Sequence, residues 1–320
     1  MFFCLTLVME LTRQQKDLLY KKWESYYSQL QLNISHCYKW LRDDYVSEIA
    51  DAIDRDKNIV IDGSFRSGKS SLAIYFAKLK ELGRAGKKKN VTYLDMVGLD
   101  KKRNDEYAMF ADFDMEIVES KADANDIIIL DELYYTGSLD HVVKPLIKDY
   151  PDKKYVVFLH SDLRHQSWNS QVEEIESELK PEKISLVSYS PEQEDMILEH
   201  LHADTKQNDL LKQSLDGNRV LYNTLMHGHF EEGKSIEELI AMFEKGFHYS
   251  TPYFPQDNFE NHRIIKQAVD NGKISSAEKQ RLFDFGILSR RLIGGNLEES
   301  IPAPIINKVA EKVSKSSLKI

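Results

Sequence analysis

The feature that most constrains this chain is the octapeptide at residues 63–70, Gly-Ser-Phe-Arg-Ser-Gly-Lys-Ser. It follows a short apolar run, Asn58–Asp62, and precedes a stretch with helical character, Ser70–Leu82. The two glycines permit backbone angles and close approaches that a Cβ would prevent, so successive N–H groups can surround an anion. The N-terminus of the following helix adds its partial positive charge. The pattern G-x-x-x-x-G-K-[ST] between a strand and a helix therefore predicts a phosphate-binding loop.

The residues of this loop have predicted tasks in binding a nucleotide. The amine of Lys69 is expected to reach the β- and γ-phosphates, and the Ser70 hydroxyl is expected to hold Mg²⁺. The competing interpretation is a glycine-serine loop that caps an ordinary helix. The residues predicted to bind the nucleotide are Gly63, Ser64, Phe65, Arg66, Ser67, Gly68, Lys69, Ser70 and Ser71.

A second apolar run, Ile127–Leu130, ends in two adjacent carboxylates, Asp131 and Glu132. Because side chains alternate along a strand, two consecutive acids can serve different tasks. We predict that Asp131 holds Mg²⁺ and that Glu132 polarises an attacking water, so that Glu132 and Lys69 are catalytic residues. Acids at a strand end are also common helix caps, but the phosphate loop upstream favours the catalytic interpretation.

Polar residues follow a third apolar run, Tyr155–His160. In the branch of P-loop proteins that this chain resembles, a polar residue at this position senses the γ-phosphate, which implies that role for Ser161, with His160 as the second choice. Simple termination of the strand by polar residues is the alternative. Arg164, slightly further on, is predicted to stabilise transition-state charge, either in cis or across a subunit interface. An exposed loop arginine is the other interpretation of this residue.

Five short apolar runs predict the strands of one buried sheet. Near-continuous β-branched runs are typical of strands buried on both faces of a parallel sheet, with helices as crossovers. The fold class predicted is therefore α/β. The runs are Asn58–Asp62, Val91–Met96, Ile127–Leu130, Tyr155–His160 and Ile184–Val187.

The chain resembles the archaeal-type ATPases related to AAA+ proteins and to the signal-transduction ATPases with numerous domains. The motifs that carry the resemblance, in order, are Gly63–Leu72 (GSFRSGKSSL), Thr92–Met96 (TYLDM), Ile127–Glu132 (IIILDE), Phe158–Ser161 (FLHS) and Ile184–Glu194 (ISLVSYSPEQE). The resemblance implies a P-loop NTPase three-layer αβα fold with an AAA+-like parallel sheet. It also implies a helical lid and a winged-helix-like domain after that sheet.

Two further observations bear on the nucleotide. A clear strand, Val91–Met96, lies between the phosphate-loop strand and the Asp131 strand, which resembles the branch of P-loop proteins that carries an inserted strand and a water-activating glutamate. The guanine-recognition string N-K-x-D does not occur, so ATP is the predicted nucleotide. The segment Asp216–Leu221 (DGNRVL) is similar to the Gly-Gly-x-Pro helix start of the family, but Asn218-Arg219 stands where the proline region is expected.

The predicted domains are a helical extension (1–55), the ATPase core (56–190), a helical lid (191–250) and a winged-helix-like domain (251–320). The lid is expected to be helical to about Phe247, with breaks at residues 216–218 and at Gly233. Helices over Asn261–Asp270 and Ser275–Phe285 and a hairpin around residues 294–296 predict the winged helix.

Composition and charge exclude several classes of protein. Two cysteines cannot form a disulfide framework or a four-thiolate zinc site, which favours a reducing compartment. The apolar start, Met1–Val8, is too short for a membrane span and lacks a charged signal-peptide region; a buried strand or a start at Met9 explains it. We therefore predict a cytoplasmic protein without a membrane partner.

The net charge of −9 hides two oppositely charged parts. Residues 261–320 carry 11 basic and 6 acidic side chains, a charge of +5, so residues 1–260 carry −14. A basic winged-helix-like end predicts duplex DNA binding through Lys279, Arg281, Arg290 and Arg291. Docking of this end onto its acidic neighbour is the alternative. The sequence thus predicts an ATPase that acts on DNA, or else a nucleotide-regulated switch that acts on a protein partner; a second copy of the chain, in a homo-oligomer, is a further candidate partner.

Overall fold

A computed structural model provides the structure of the chain. It describes residues 43–64, 67–95, 122–123, 125–133, 143–161, 169–230, 232–244, 263–264, 267, 274–284, 290–293 and 296–299. The sequence predictions for residues 1–42, for Arg164 and for most of the helix over Asn261–Asp270 lie outside the described residues. None of the helices in the described ranges is long and apolar enough to cross a membrane.

The centre of the fold is a five-stranded parallel sheet with the order β2-β3-β4-β1-β5. Among the described residues, helices connect β1 to β2, β3 to β4 and β4 to β5, as expected for parallel strands that need long crossover connections. The strands are β1 (Ile59–Gly63), β2 (Val91–Asp95), β3 (Ile127–Leu133), β4 (Lys154–His160) and β5 (Glu182–Ser185). The helices described in this part of the chain are α1 (Asp43–Asp54), α2 (Lys69–Glu81), α3 (Lys144–Asp149) and α4 (Asn169–Leu179).

The strands form where the sequence is continuously apolar. Ile127, Ile128, Ile129 and Leu130 of β3 are all fully buried, which is typical of an inner parallel strand covered on both faces. The sheet carries an inserted strand between β1 and β3, but that strand is β4; the run Val91–Met96, on which the expectation of an insertion depended, forms the edge strand β2. The fifth strand begins earlier than predicted: β5 starts at Glu182, two residues before Ile184.

The pairing of β3 with β4 contains an irregularity at the two carboxylates. Leu130 is opposite Val157, whereas Leu133 is opposite Leu159, so β3 has one extra residue in between. A β-bulge of this kind changes the direction in which a side chain points and is frequent beside active sites. Asp131 and Glu132 therefore lie in a locally irregular strand, and simple alternation is not a sufficient description of their orientation.

The chain divides into two compact units. The sheet unit contains residues 1–61, 69–159 and 166–184. The second unit, called here the loop-and-helix unit, contains residues 62–68, 160–165 and 185–320. The phosphate loop and the residues after β4 thus group with the helices that follow the sheet.

Among the described residues from 186 to 244, the sheet is followed by the helices α5 (Pro191–His200), α6 (Thr205–Leu215), α7 (Arg219–Phe230) and α8 (Ile236–Glu244). The predicted breaks at residues 216–218 and at Gly233 are confirmed. A third break, between α5 and α6, was not predicted. There the Asp204 side chain accepts from the Gln207 N–H, and the Gln207 side chain accepts from the Asp204 N–H, which begins α6 with a capping box.

The described part of the C-terminal region contains the helix α9 (Ser276–Asp284) and the antiparallel strands β6 (Arg290–Ile293) and β7 (Asn296–Glu299). The predicted hairpin is therefore confirmed, whereas the winged-helix fold stays a prediction. Arg290 is opposite Glu299 and Arg291 is opposite Glu298. For these two strands the backbone pairing alone is described.

Candidate nucleotide-binding site

The phosphate loop has the backbone that its sequence predicts. Strand β1 ends at Gly63, and helix α2 begins at Lys69. Between them the Ser67 N–H donates to the Ser64 carbonyl at 3.1 Å, which closes a tight turn. Gly68 has φ of 90°, a left-handed value that favours glycine. The second glycine of the pattern is therefore required by the path of the chain into the helix.

Three polar side chains of the loop region are buried. Ser64, Ser67 and Lys69 have exposed fractions of 7%, 2% and 3%. Among the described residues, the Ser67 hydroxyl has no hydrogen-bond partner. An unsatisfied buried hydroxyl is unfavourable unless a ligand or water supplies its partner. Buried donors together with the N-terminus of α2 fit an anion such as a phosphate.

The predicted metal ligand Asp131 is fully buried in β3. Its Oδ2 accepts a hydrogen bond of 2.8 Å from the hydroxyl of Tyr93 on the neighbouring strand β2. This contact fixes one carboxylate oxygen. The backbone of Glu132 continues β3, and its side chain lies outside the described residues.

The described residues contain no group of three or more His, Cys, Asp or Glu side chains that could hold a metal. Mg²⁺ is usually bound through one or two protein oxygens, with substrate phosphates and waters completing its coordination. The buried carboxylate of Asp131 is a suitable hard oxygen ligand, and the hydroxyl of Ser70 is another. Both residues therefore fit the metal by the chemistry of their oxygens.

The loop-and-helix unit contains a cavity of about 270 Å³, a volume that includes its opening to solvent. All its lining residues belong to this unit. They come from the phosphate loop, from the segment after β5, from the start of α7 and from the end of α9. The lining residues are Ser64, Ser67, Leu186, Ser188, Asn218, Arg219, Val220 and Phe283.

The start of α7 replaces the proline region of the family pattern with two hydrogen-bonded residues. Asn218 is buried, and its Oδ1 accepts from the Leu221 N–H at 3.1 Å, which caps the helix. The Nε of Arg219 donates to the Val187 carbonyl at 2.7 Å. Its guanidinium carbon lies 4.2 Å from the ring centroid of Tyr189, a cation–π distance. Both residues are thus fixed at the cavity wall.

The predicted sensor Ser161 is buried at the end of β4, and its Oγ donates to the Asp284 carbonyl at 2.8 Å. Asp284 is the last residue of α9, and its neighbour Phe283 lines the cavity. No sequence pattern indicates this contact, since the two residues are 123 positions apart. The sensing role of Ser161 stays a prediction.

The remaining predicted site residues differ in how far the structure describes them. Gly63 ends β1, and Ser71 lies in the first turn of α2. Phe65, Arg66 and Arg164 lie outside the described residues.

Of the predicted DNA contacts, Lys279 and Arg281 are partly exposed on α9. For Arg290 and Arg291 only the backbone of β6 is described. Sequence analysis assigned no role to Tyr93, Glu194 or Phe283. Tyr93 donates to Asp131, Phe283 lines the cavity, and Glu194 accepts from the Gly217 N–H beside the cavity wall.

Comparisons with known proteins agree with this geometry. Residues 55–189 match a family model described as an AAA domain, a stretch that includes all five strands of the sheet. The Walker-type ATPase PABY2304 of Pyrococcus abyssi is similar in structure, with a TM-score of 0.50 and 11% identity over 84% of this chain and 95% of that chain.

Two other solved structures are less similar. The Aeropyrum pernix ORC1 protein in complex with DNA gives a TM-score of 0.39 with 13% identity, over 87% of this chain and 94% of that chain. AMPPCP-bound DnaA from Aquifex aeolicus gives 0.39 with 10% identity, over 75% and 72%. No curated protein matches the sequence. The sheet order, the phosphate loop and the AAA-domain match over residues 55–189 together fit an α/β P-loop NTPase fold.

Proposed function

We propose that this chain binds ATP with Mg²⁺ and hydrolyses it. The observation that carries the proposal is the loop from Gly63 to Lys69, in which a left-handed glycine leads into a helix N-terminus and a buried serine hydroxyl lacks a partner among the described residues. Phosphate is the ligand that this combination fits best, because N–H groups and the helix dipole both favour an anion.

Different residues of the chain have different roles in the proposed hydrolysis. Lys69 and the loop N–H groups bind the β- and γ-phosphates, and Ser70 with Asp131 would hold Mg²⁺. When bound, the metal neutralises charge on those phosphates. Glu132 orients and polarises the water that attacks in line, Ser161 contacts the γ-phosphate, and Arg164 stabilises the charge of the transition state.

The cavity of the loop-and-helix unit is proposed to take the nucleoside. It adjoins the phosphate loop through Ser64 and Ser67, and apolar surface from Leu186, Val220 and Phe283 suits a purine ring. The helices over 191–250 then act as a lid on the nucleotide.

Two substitutions test binding and hydrolysis separately. Lys69→Ala should weaken ATP binding about 100-fold or more, because it removes a buried charge that faces the phosphates. Glu132→Gln should keep ATP bound and stop turnover, because an amide cannot accept the proton of the water. Lys78→Ala, on the same helix α2, is the matched control for the lysine. Normal turnover by the Glu132→Gln protein would overturn the role of that residue.

A second candidate function is the coupling of hydrolysis to a conformational change on duplex DNA. The observation that favours it is the charge of +5 on residues 261–320, with Lys279 and Arg281 partly exposed on α9. Phosphate neutralisation by such residues dominates affinity for DNA. This net charge already includes Glu298 and Glu299, the acids opposite Arg291 and Arg290 in the hairpin.

The test is duplex binding measured as a function of salt. Changing Lys279 and Arg281 to glutamine should reduce the salt slope by about one for each DNA phosphate that is no longer neutralised. Each substitution is also made singly, and Lys206→Gln, which removes one charge from an exposed lysine of α6, is the control for the single variants. No binding at low salt would reject DNA as the partner and favour the nucleotide-regulated switch acting on a protein.

A further inference from the structure

The loop-and-helix unit contains a buried carboxylate that the proposed chemistry does not use. Glu194 lies near the start of α5 and is 3% exposed. Its Oε1 accepts two hydrogen bonds, from the Gly217 N–H at 2.9 Å and from the Tyr222 hydroxyl at 2.8 Å. One oxygen of Glu194 therefore connects helix α5 to the turn after α6 and to helix α7.

The turn that Glu194 holds has an unusual backbone. Asp216 has φ of 46° and Gly217 has φ of 65°, so two consecutive residues are left-handed. The turn is fixed on both sides, because the Gly217 N–H donates to Glu194 and the Gly217 carbonyl accepts from the Tyr189 N–H at 2.9 Å. The path of the chain into α7 is thus determined by Glu194 and Tyr189.

This path sets the position of one cavity wall. The residues that follow the turn directly, Asn218 and Arg219, line the cavity, and so does Ser188, which precedes Tyr189. Tyr222 also contacts Tyr189 edge-to-face, with ring centroids 6.0 Å apart. A change in the turn at Gly217 would therefore move residues that line the cavity proposed to take the nucleoside.

We propose that Glu194 is a positioning residue for the nucleoside. Its carboxylate fixes the turn at Gly217, and the turn places Asn218 and Arg219 at the cavity wall. This inference rests on the proposed function, in which that cavity takes the nucleoside of ATP.

The choice of a carboxylate supports a positioning role over a purely stabilising one. A buried charged group is costly to desolvate, and apolar residues of similar size often stabilise a fold equally well or better. An acceptor is required here because the Gly217 N–H and the Tyr222 hydroxyl are both buried donors that need one. Glu194 thus contributes a defined geometry at a place where a leucine would contribute only packing.

The experiment compares two ligands, ADP and inorganic pyrophosphate, by calorimetric titration. Glu194→Ala should weaken ADP binding about tenfold, since it removes the acceptor of two buried hydrogen bonds that hold the turn. Pyrophosphate binding should stay within about twofold of wild type, since the loop of residues 63–70 is not held by Glu194. Glu194→Gln should restore most of the ADP affinity, because its amide oxygen can accept from both donors.

A second variant keeps the test decisive if Glu194→Ala fails to fold. Tyr222→Phe keeps the ring and removes one of the two donors, and it should weaken ADP binding about threefold. Glu199 is an exposed glutamate of α5, the helix that contains Glu194. Glu199→Ala is therefore the matched control, and this variant should bind ADP as wild type does.

The outcomes separate this inference from the proposed function. If wild type binds neither ligand, the proposed function itself is wrong. If wild type binds both ligands, and the Glu194→Ala and Tyr222→Phe proteins bind ADP as tightly as wild type does, Glu194 does not position the nucleoside. Equal losses for ADP and pyrophosphate would also overturn the inference, because they indicate a general effect on the fold.

Discussion

The two units of the molecule bury different kinds of side chain. Among the described residues, the sheet unit buries four polar or charged side chains and the loop-and-helix unit buries ten. The four are Lys69, Lys80, Thr92 and Asp131. The ten are Ser64, Ser67, His160, Ser161, Ser188, Glu194, Asn218, Arg219, Thr224 and Asp284. The described part of the sheet unit therefore has a largely apolar interior, whereas the other unit combines an apolar core with a larger share of buried hydrogen-bonding groups.

This difference separates stability from recognition. Apolar burial is non-directional, so the strands can be stable without defining a binding geometry. Buried hydrogen bonds are directional and expensive to leave unmade, so they define positions. Substitutions in the sheet should mainly change the free energy of unfolding, and substitutions of the buried polar residues should mainly change ligand binding.

The largest effect on stability is expected for Ile129→Ala in β3. Ile129 is fully buried, and its strand β3 lies between β2 and β4. Its truncation leaves a cavity and should lower the free energy of unfolding by about 4 kcal/mol. Urea unfolding measures this value, and Ile129→Val should cost about 1 kcal/mol. A loss below about 1 kcal/mol for the alanine variant would contradict an apolar sheet core.

An intermediate effect is expected for Ser161→Ala. The variant removes the donor to the Asp284 carbonyl and leaves that carbonyl without this buried hydrogen bond, which should cost about 1–2 kcal/mol. Its turnover should also fall if the hydroxyl contacts the γ-phosphate as proposed. Thermal unfolding and steady-state ATPase rates measure the two effects, and a stability loss with unchanged turnover would restrict Ser161 to a structural role.

A smaller effect is expected for Tyr93→Phe. The phenyl ring keeps its packing, and removal of the hydrogen bond to Asp131 should cost about 1 kcal/mol. Because this hydroxyl fixes one oxygen of the proposed metal ligand, the Mg²⁺ concentration needed for ATP binding should rise several-fold. A titration of ATP binding against Mg²⁺ measures this requirement, and an unchanged value would mean that Tyr93 does not orient the carboxylate.

The smallest effect concerns an exposed cap of α9. Hydrogen bonds from the Ser275 N–H and hydroxyl, with Arg263 nearby, lower the pKa of Glu278 below its ordinary value. Because the pKa of Glu278 is lower in the folded state, the carboxylate stabilises the fold at pH values above its unfolded-state pKa. This stabilisation is lost as the pH falls through its folded-state pKa. Glu278→Gln should therefore lower the thermal midpoint slightly at neutral pH, and the difference from wild type should vanish in acid. A difference that persists well below about pH 4 would contradict this.

Local patterns were sufficient to predict the sheet and the loop. Four of the strands follow apolar runs closely, and the loop from Gly63 to Ser70 is defined by a short string. The start of β5 was predicted too late because its first residues, Glu182 and Lys183, are polar and only Ile184 of this strand is buried. The break before α6 was missed although Asp204 and Gln207 have the spacing of a capping box.

The polar contacts of the site could not be predicted, because they join distant parts of the chain. Tyr93 donates to Asp131 across 38 positions, and Glu194 accepts from Gly217 across 23. Neither tyrosine nor glutamate has a sequence pattern that indicates such a partner. Sequence patterns therefore identify the residues of the phosphate loop but not the residues that hold the neighbouring groups in place.

The two left-handed residues at positions 216 and 217 have a consequence for aligning related sequences. A backbone of this kind admits glycine freely, admits asparagine and aspartate at some cost, and excludes β-branched residues. Proteins that share this cavity wall should therefore have Gly, Asn or Asp at the position of Asp216 and Gly at the position of Gly217. This holds whichever residues occupy the positions of Asn218 and Arg219. Backbone geometry at this turn offers a marker by which distant homologues can be aligned even where their ligand-contacting side chains have diverged.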